Sequence, residues 1–344
     1  MHSVIYPLVN SPVPNDLELA IPGSIPFFNV LIVIALIAHL IFVNIVVAGA
    51  VYTVWNEVKA IRKKDPVIDR LAYQIATQVT IHKSIAVVLG VAPLLVISTI
   101  YTQYFYPSTI LIGKMWLALI PLLIIAFLLL YVYKFTWEKW SHRKAVHLSF
   151  GIAGTGILLF LPLVFISNAT SMLNPQMWEG SRGFFHSLFY YPTIWQKYFH
   201  FMSASFTVMG MYMYWWGRKK SLKHSDPVYT EMKNFGKKSA FLFALLQLLA
   251  GPILLLSLDS QVRSSFLGGS LFHSALLVTA AILAVIWIAM LLQLIRHESK
   301  RLFVSSLALL LVIMGLMGWI RGEVRGLYLA PYMDESPRTV HTVK

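Results

Sequence analysis

Ionisable side chains inside apolar segments carry whatever chemistry this sequence performs. His39, His82, Lys83, Lys114, His147, His200, His273, Arg321, Glu323 and Arg325 all lie within or at the ends of long hydrophobic runs. Such groups are costly in hydrocarbon, so each marks a ligand, redox or proton site, or ties two helices together. His200 stands in WQKYFHFMSASFTVMGMYMYWW (195–216), with Ser203, Ala204 and Thr207 on its face. His273 follows Gly269 and Ser270 and precedes Ser274, and His39 has Ala35 and Ala38 beside it. An imidazole nitrogen with small neighbours suits an axial ligand lying against a flat macrocycle, which is what a haem requires. A bare metal ion fits less well, because no two histidines have a close ligand spacing on one helix. The plain alternative for each histidine is a hydrogen bond between helices.

Long apolar elements must position these residues. The chain of 344 residues is 58% hydrophobic and 12% charged, with a mean hydropathy of +0.69. That composition belongs to a polytopic membrane protein. Apolar runs cover roughly 27–55, 72–104, 112–135, 146–167, 198–217, 239–258, 269–295 and 302–321. They predict an all-α bundle of about eight transmembrane helices. Residues 1–26 then form an outer N-terminal segment, 27–325 the transmembrane bundle and 326–344 an outer tail. The proline-rich start has no basic region leading into a short apolar core, so it does not resemble a cleaved signal peptide. Cysteine is absent, which removes disulfides, iron–sulfur clusters, thiolate catalysis and covalent haem attachment.

The net charge of +14 is not a nucleic-acid signal, because of where the charge sits. Segments 56–71, 134–146, 217–238 and 296–301 hold 19 of the 28 Lys and Arg residues. The alternate connections, 105–111, 168–197 and 259–268, hold only Arg182, Lys197 and Arg263. This asymmetry predicts cytoplasmic basic loops, anionic-lipid contact there and both termini outside. His200 and His273 then fall in the first outer turns of inward-running helices, and Glu323 at the outer end of the last helix. His39 lies about 18 Å below its outer start. His82, Lys83 and His147 face the inner half, where they supply an inner proton path unless they are structural.

Five segments carry a family likeness. They are AHLIFVNIVVAGAV (38–51), NATSMLNP (168–175), QKYFHFMSASFTVMGMYM (196–213), KKSAFLFALLQLLAGPILLLSLDSQ (237–261) and GWIRGE (318–323). In this order they resemble subunit I of the cytochrome bd quinol oxidases. The resemblance implies two or three haem b groups, with haem d an option at His39. It maps the axial ligand of the oxygen-binding haem onto His39 and that of the low-spin b haem onto His200. Glu323, in the GWxxxE signature with Trp319, maps onto the ligand of the high-spin b haem. Arg321 and Arg325 are then within reach of haem propionates. A second membrane subunit, a respiratory chain and a bacterial inner membrane are implied with it.

The departures bear on function. The family's methionine opposite the low-spin histidine is replaced by His273, in GGSLFHSALL, which implies a bis-histidine haem of lower potential. The quinol-oxidising loop is reduced to DSQVRSSFLGGS. The glutamates of the family's third helix have no counterpart in GKMWLALIPLLIIAFLLLYVYKF, and GWIRGE continues as VRGLYL rather than GRQPW. Two readings follow. One is a redox enzyme fed by a periplasmic c-type cytochrome and reducing O₂. The other is an electron relay between the quinone pool and a multihaem cytochrome, without oxygen chemistry. A non-redox membrane protein on the same fold is a third. The aromatic 168–197 loop lies over the expected outer haem and is the expected docking surface, with an interfacial aromatic belt as the alternative.

Overall fold

The computed structural model describes residues 12–14 and 23–333. Among the described residues eight long helices make up the bundle: α1 (Ile25–Lys63), α2 (Pro66–Ile100), α4 (Gly113–Phe135), α5 (Lys144–Met172), α7 (Ile194–Ser221), α8 (Pro227–Leu256), α10 (Leu271–Arg296) and α11 (Lys300–Met333). Short helices α3 (Thr102–Leu111), α6 (Phe184–Tyr190) and α9 (Ser260–Ser264) lie between them. Seven of the long helices are long and apolar enough to cross a membrane, so this is a multi-pass membrane protein. The remaining one, α7, has 28 residues but is more polar, because His200, several hydroxyl side chains and Tyr212 and Tyr214 interrupt its apolar surface. It packs along α8, α1 and α5 within the bundle.

Boundaries differ from the sequence expectation in two informative places. The last helix does not stop near residue 325 but continues to Met333. Leu329 is fully buried there against Tyr101, Tyr104 and Trp178, and that burial holds the extra turns. The NATSMLNP segment is likewise helical up to Met172. Asn168 donates to Ser108 and Asn174 to the Thr170 carbonyl, so the polar residues are partnered inside the bundle. The expected outer segments fall partly on residues 1–11, 15–22 and 334–344, which lie outside the described residues.

The basic end of the bundle is pinned by two matching caps. Asp65 accepts from the backbone N–H groups of Val67 and Ile68 and is followed by Pro66. Asp226 caps α8 ahead of Pro227 and pairs with Arg70 of α2. At the same end Glu298, between α10 and α11, receives Lys233 at 2.8 Å and Lys237 at 2.6 Å. Partial burial opposes its charge, but the two lysines outweigh that and hold its pKa below the ordinary value of 4.5. A depressed carboxylate stabilises the fold above the ordinary pKa and loses that contribution as pH falls through the folded one. Glu298→Gln is expected to remove that acid dependence while costing less than about 1 kcal/mol near neutrality, since the group is partly exposed. Denaturation midpoints of both proteins across the acid range check this; parallel curves would refute it.

Helices α7 and α8 approach backbone to backbone. A Cβ on Gly210 would stand 2.6 Å from the Ala240 nitrogen, and one on Gly236 would stand 2.6 Å from the Gly210 carbonyl oxygen. Small residues at a helix crossing let main chains touch, the usual packing device inside membranes. Gly210→Val is expected to destabilise by about 3 kcal/mol, the upper part of the overpacking range. A mixed-micelle denaturation midpoint measures it, and an unchanged midpoint would show that α7 and α8 separate freely.

Candidate functional site: histidines and cations at the end opposite the basic loops

His39 of α1 lies against α2. Its Nδ1 is 2.9 Å from the carbonyl oxygen of Ala86, a pure acceptor, so Nδ1 carries the hydrogen and Nε2 keeps its lone pair. The ring fills a space made by Gly90, where a Cβ would stand 2.8 Å from His39 Cε1. A second-helix carbonyl that fixes the tautomer of a histidine is the usual support of a metal ligand. Gly90 carried no signal in the sequence beyond being a glycine inside an apolar helix.

His200 has a different environment. Its Nε2 is 3.4 Å from the side-chain nitrogen of Gln247 on α8, while its Nδ1 is buried without a partner among the described residues. An orphaned ring nitrogen in a bundle is unusual and points to a missing partner. One turn earlier on the same face stands Lys197, whose Nζ donates to Thr170 Oγ1 at 3.0 Å.

His273 begins α10. Its backbone N–H donates to the Ser270 hydroxyl that caps the helix. Its Nδ1 is 3.0 Å from Ser265 Oγ and its Nε2 is 3.3 Å from Glu323 Oε2. Phe266 flanks the ring with centroids 5.0 Å apart. The fold therefore brings His273 to Glu323, while His200 meets Gln247. A ligand role for His273 opposite His200 requires the Glu323 contact to open.

The last helix supplies the cations. Arg325 is buried, with its guanidinium carbon 4.5 Å above the Tyr101 ring and its Nε without a partner among the described residues. Arg321 lies within electrostatic reach of both Arg325 and Lys197. Among the described residues none of these three cations has a carboxylate within 4 Å, although Glu323 stands two positions from each arginine. Trp319, of the same signature, is exposed. Lys197 is the member that sequence reasoning missed, because it precedes the apolar run and was counted with the loop. Unpaired cations converging at one end of a bundle repel one another unless an anion joins them.

Of the aromatic residues between α5 and α7, Trp178, Phe184 and Tyr191 are buried, and Phe185 and Phe189 are exposed on α6. Among the described residues no group of three or more His, Cys, Asp or Glu side chains is placed to hold a metal ion.

The three residues expected to form an inner path are not joined. His82 bonds its own helix at Gln78 and lies between Phe42 and Tyr212. Lys83 is buried over the Phe127 and Tyr131 rings. His147 belongs to a separate network with Glu57, Tyr133, Lys144 and Asp69. The sequence reading missed Glu57. The signal was present, because the buried residues Gly49, Thr53, Glu57 and Ala60 keep a helical period beyond the apolar run. No protein-family model matches the chain, and no curated protein matches it.

Proposed function

We propose that the protein is a haem-binding redox subunit of a bacterial inner-membrane electron-transfer complex. The observation that carries this reading is the trio Lys197, Arg321 and Arg325, unpaired by any described carboxylate, with Lys197 one helical turn before His200 and each arginine two positions from Glu323. Two propionates on a haem edge would satisfy such a trio, and a buried imidazole without a partner suits its iron. The likeness to cytochrome bd subunit I supports the same reading in five segments.

The residues divide the work. His39 presents Nε2 with its tautomer set by Ala86, and His200 presents an unpartnered ring nitrogen. Glu323 offers a carboxylate held at 3.3 Å by His273. His39, His200 and Glu323 are thus read as iron ligands. His273 is the residue that orients Glu323, or else the second ligand opposite His200. Lys197, Arg321 and Arg325 hold the anionic edge of the group. When bound, haem supplies one-electron transfer and, where one face stays open, a place for O₂ or CO. The exposed Phe185 and Phe189 are the docking surface for a periplasmic c-type cytochrome. A second membrane subunit covers lipid-facing surface in this reading. A relay between quinone and a multihaem cytochrome remains the second reading, favoured by the absence of acidic residues along α4.

The test is direct. Purified protein is expected to show a Soret band, and His200→Ala is expected to lose the low-spin b signal from the reduced-minus-oxidised spectrum while other bands persist. A preparation from haem-replete cells without a Soret band would leave a non-redox membrane protein as the answer.

A further inference from the structure

At the basic end, Glu57 and His147 are both fully buried and joined at 2.7 Å, from His147 Nδ1 to Glu57 Oε1. His147 Nε2 is 2.7 Å from the Tyr133 backbone oxygen. A carbonyl oxygen only accepts, so Nε2 carries a hydrogen. The contact at Nδ1 also needs a hydrogen, and it comes from the ring or from the carboxyl. Either way the pair holds one proton more than a neutral imidazole beside a carboxylate.

The charges facing the pair decide its form. Lys144 of α5 donates to Glu57 Oε1 at 3.3 Å and to Asp69 Oδ1 at 2.9 Å. Tyr133 of α4 donates its hydroxyl to the other Glu57 oxygen. Asp69 of α2 also receives the Trp137 indole at 3.0 Å. With Glu57 and Asp69 ionised and Lys144 charged, the cluster is electrically neutral only if His147 is an imidazolium. A buried cluster avoids a net charge where it can.

The cluster also spans from surface to interior. Asp69 and Lys144 keep side-chain exposures of 31% and 23%, whereas Glu57 and His147 have none. On the far side Tyr133 borders a small cavity, with room for roughly one water, that is also lined by Thr53 and Thr80. Gly151 makes space for the Tyr133 ring, where a Cβ would stand 2.5 Å from it.

We propose that Glu57 and His147 form a buried proton-holding pair that exchanges its proton with the aqueous phase at the basic end through Lys144 and Asp69. Each step moves one proton along a hydrogen bond present in the structure. Asp69 passes a proton to Lys144 as Lys144 gives its own to Glu57, and Glu57 passes one to His147 Nδ1. No electrons move, and the total charge changes only when water at Asp69 gives or takes a proton. The site is independent of the haem reading, since it needs only the ion network.

Solid-state NMR on protein with ¹⁵N-histidine, ¹³C-carboxyl glutamate and ¹³C-carbonyl tyrosine tests it. Coupling between a ring nitrogen and the Tyr133 carbonyl identifies His147 without a variant. Near neutral pH both ring nitrogens are expected to be protonated beside an ionised Glu57; a neutral ring beside a protonated Glu57 also shows the held proton. A neutral ring beside an ionised carboxylate overturns the proposal. The Nδ1 hydrogen is expected to exchange into D₂O roughly tenfold more slowly, or slower still, in Asp69→Asn, where one charged step is lost. Equal exchange rates with the ring still charged would overturn the route through Asp69 and Lys144.

Discussion

Glu57→Ala is expected to destabilise the protein by about 3–5 kcal/mol, the range for removing one partner of a buried ion pair. Three donors converge on this carboxylate: the Tyr133 hydroxyl, Lys144 Nζ and His147 Nδ1. They come from α4 and α5, so Glu57 ties both helices to α1. Alanine leaves the buried Tyr133 hydroxyl and His147 Nδ1 without an acceptor, while Lys144 keeps only Asp69, and each orphan adds a desolvation cost. It also leaves a cavity beside His147, against whose ring Trp137 packs edge-on with centroids 4.9 Å apart. Glu57→Gln keeps the volume and one acceptor, so its cost should be clearly smaller. Mixed-micelle denaturation of the three proteins provides the comparison. If Glu57→Ala falls within about 1 kcal/mol of the parent, water reaches the site and the pair is of the weak surface kind.

The bundle itself was legible because a bilayer demands long apolar helices, and seven of them satisfy that demand by length and composition alone. The basic loops were legible for a related reason, and they fall at helix ends such as Arg62–Lys63 and Arg218–Lys220. What the sequence concealed depends on partners distant in the chain. Glu57 reads as part of the basic segment 56–71 until α4 and α5 bring Tyr133 and His147 to it, 76 and 90 residues away. Lys197 looks like a loop cation until Thr170 receives it. His39, His200, His273 and Glu323 were recognisable as intramembrane ionisable groups, but their pairing was not. Depth along a helix follows from residue counting, whereas the facing neighbour depends on helix rotation, which an apolar run on all sides does not specify. That is why equal depth suggested His273 beside His200, and the fold sets it beside Glu323. The apolar run of the last helix thins after residue 321, at Arg321, Glu323 and Arg325, so the turns beyond it that carry buried Leu329 fall in the segment assigned to the outer tail.

His273→Met separates the two roles open to His273, and the expected result follows from the 3.3 Å contact between its Nε2 and Glu323. If His273 orients Glu323, methionine removes the donor that holds the carboxylate. The carboxylate then turns toward other cations, of which Arg321 and Arg325 are nearest in sequence, and the high-spin signal that CO perturbs in the reduced protein is expected to fall severalfold. A low-spin haem held by His200, as proposed, should keep its potential, because nothing bound to its iron would have changed. Glu323→Ala is then expected to abolish the CO-sensitive signal outright, and His273→Gln, which retains a donor, to restore part of it. If instead His273 is the second ligand opposite His200, a thioether replaces a nitrogen donor and the low-spin potential rises, with the CO signal intact. Redox titration together with CO difference spectra on the same preparations reads both quantities. The orienting role rests on Ser265 and Glu323 occupying both ring nitrogens, so it fails if the low-spin potential moves and the CO signal does not. A reduced parent protein that ignores CO would remove the open haem face altogether, leaving electron relay as the function.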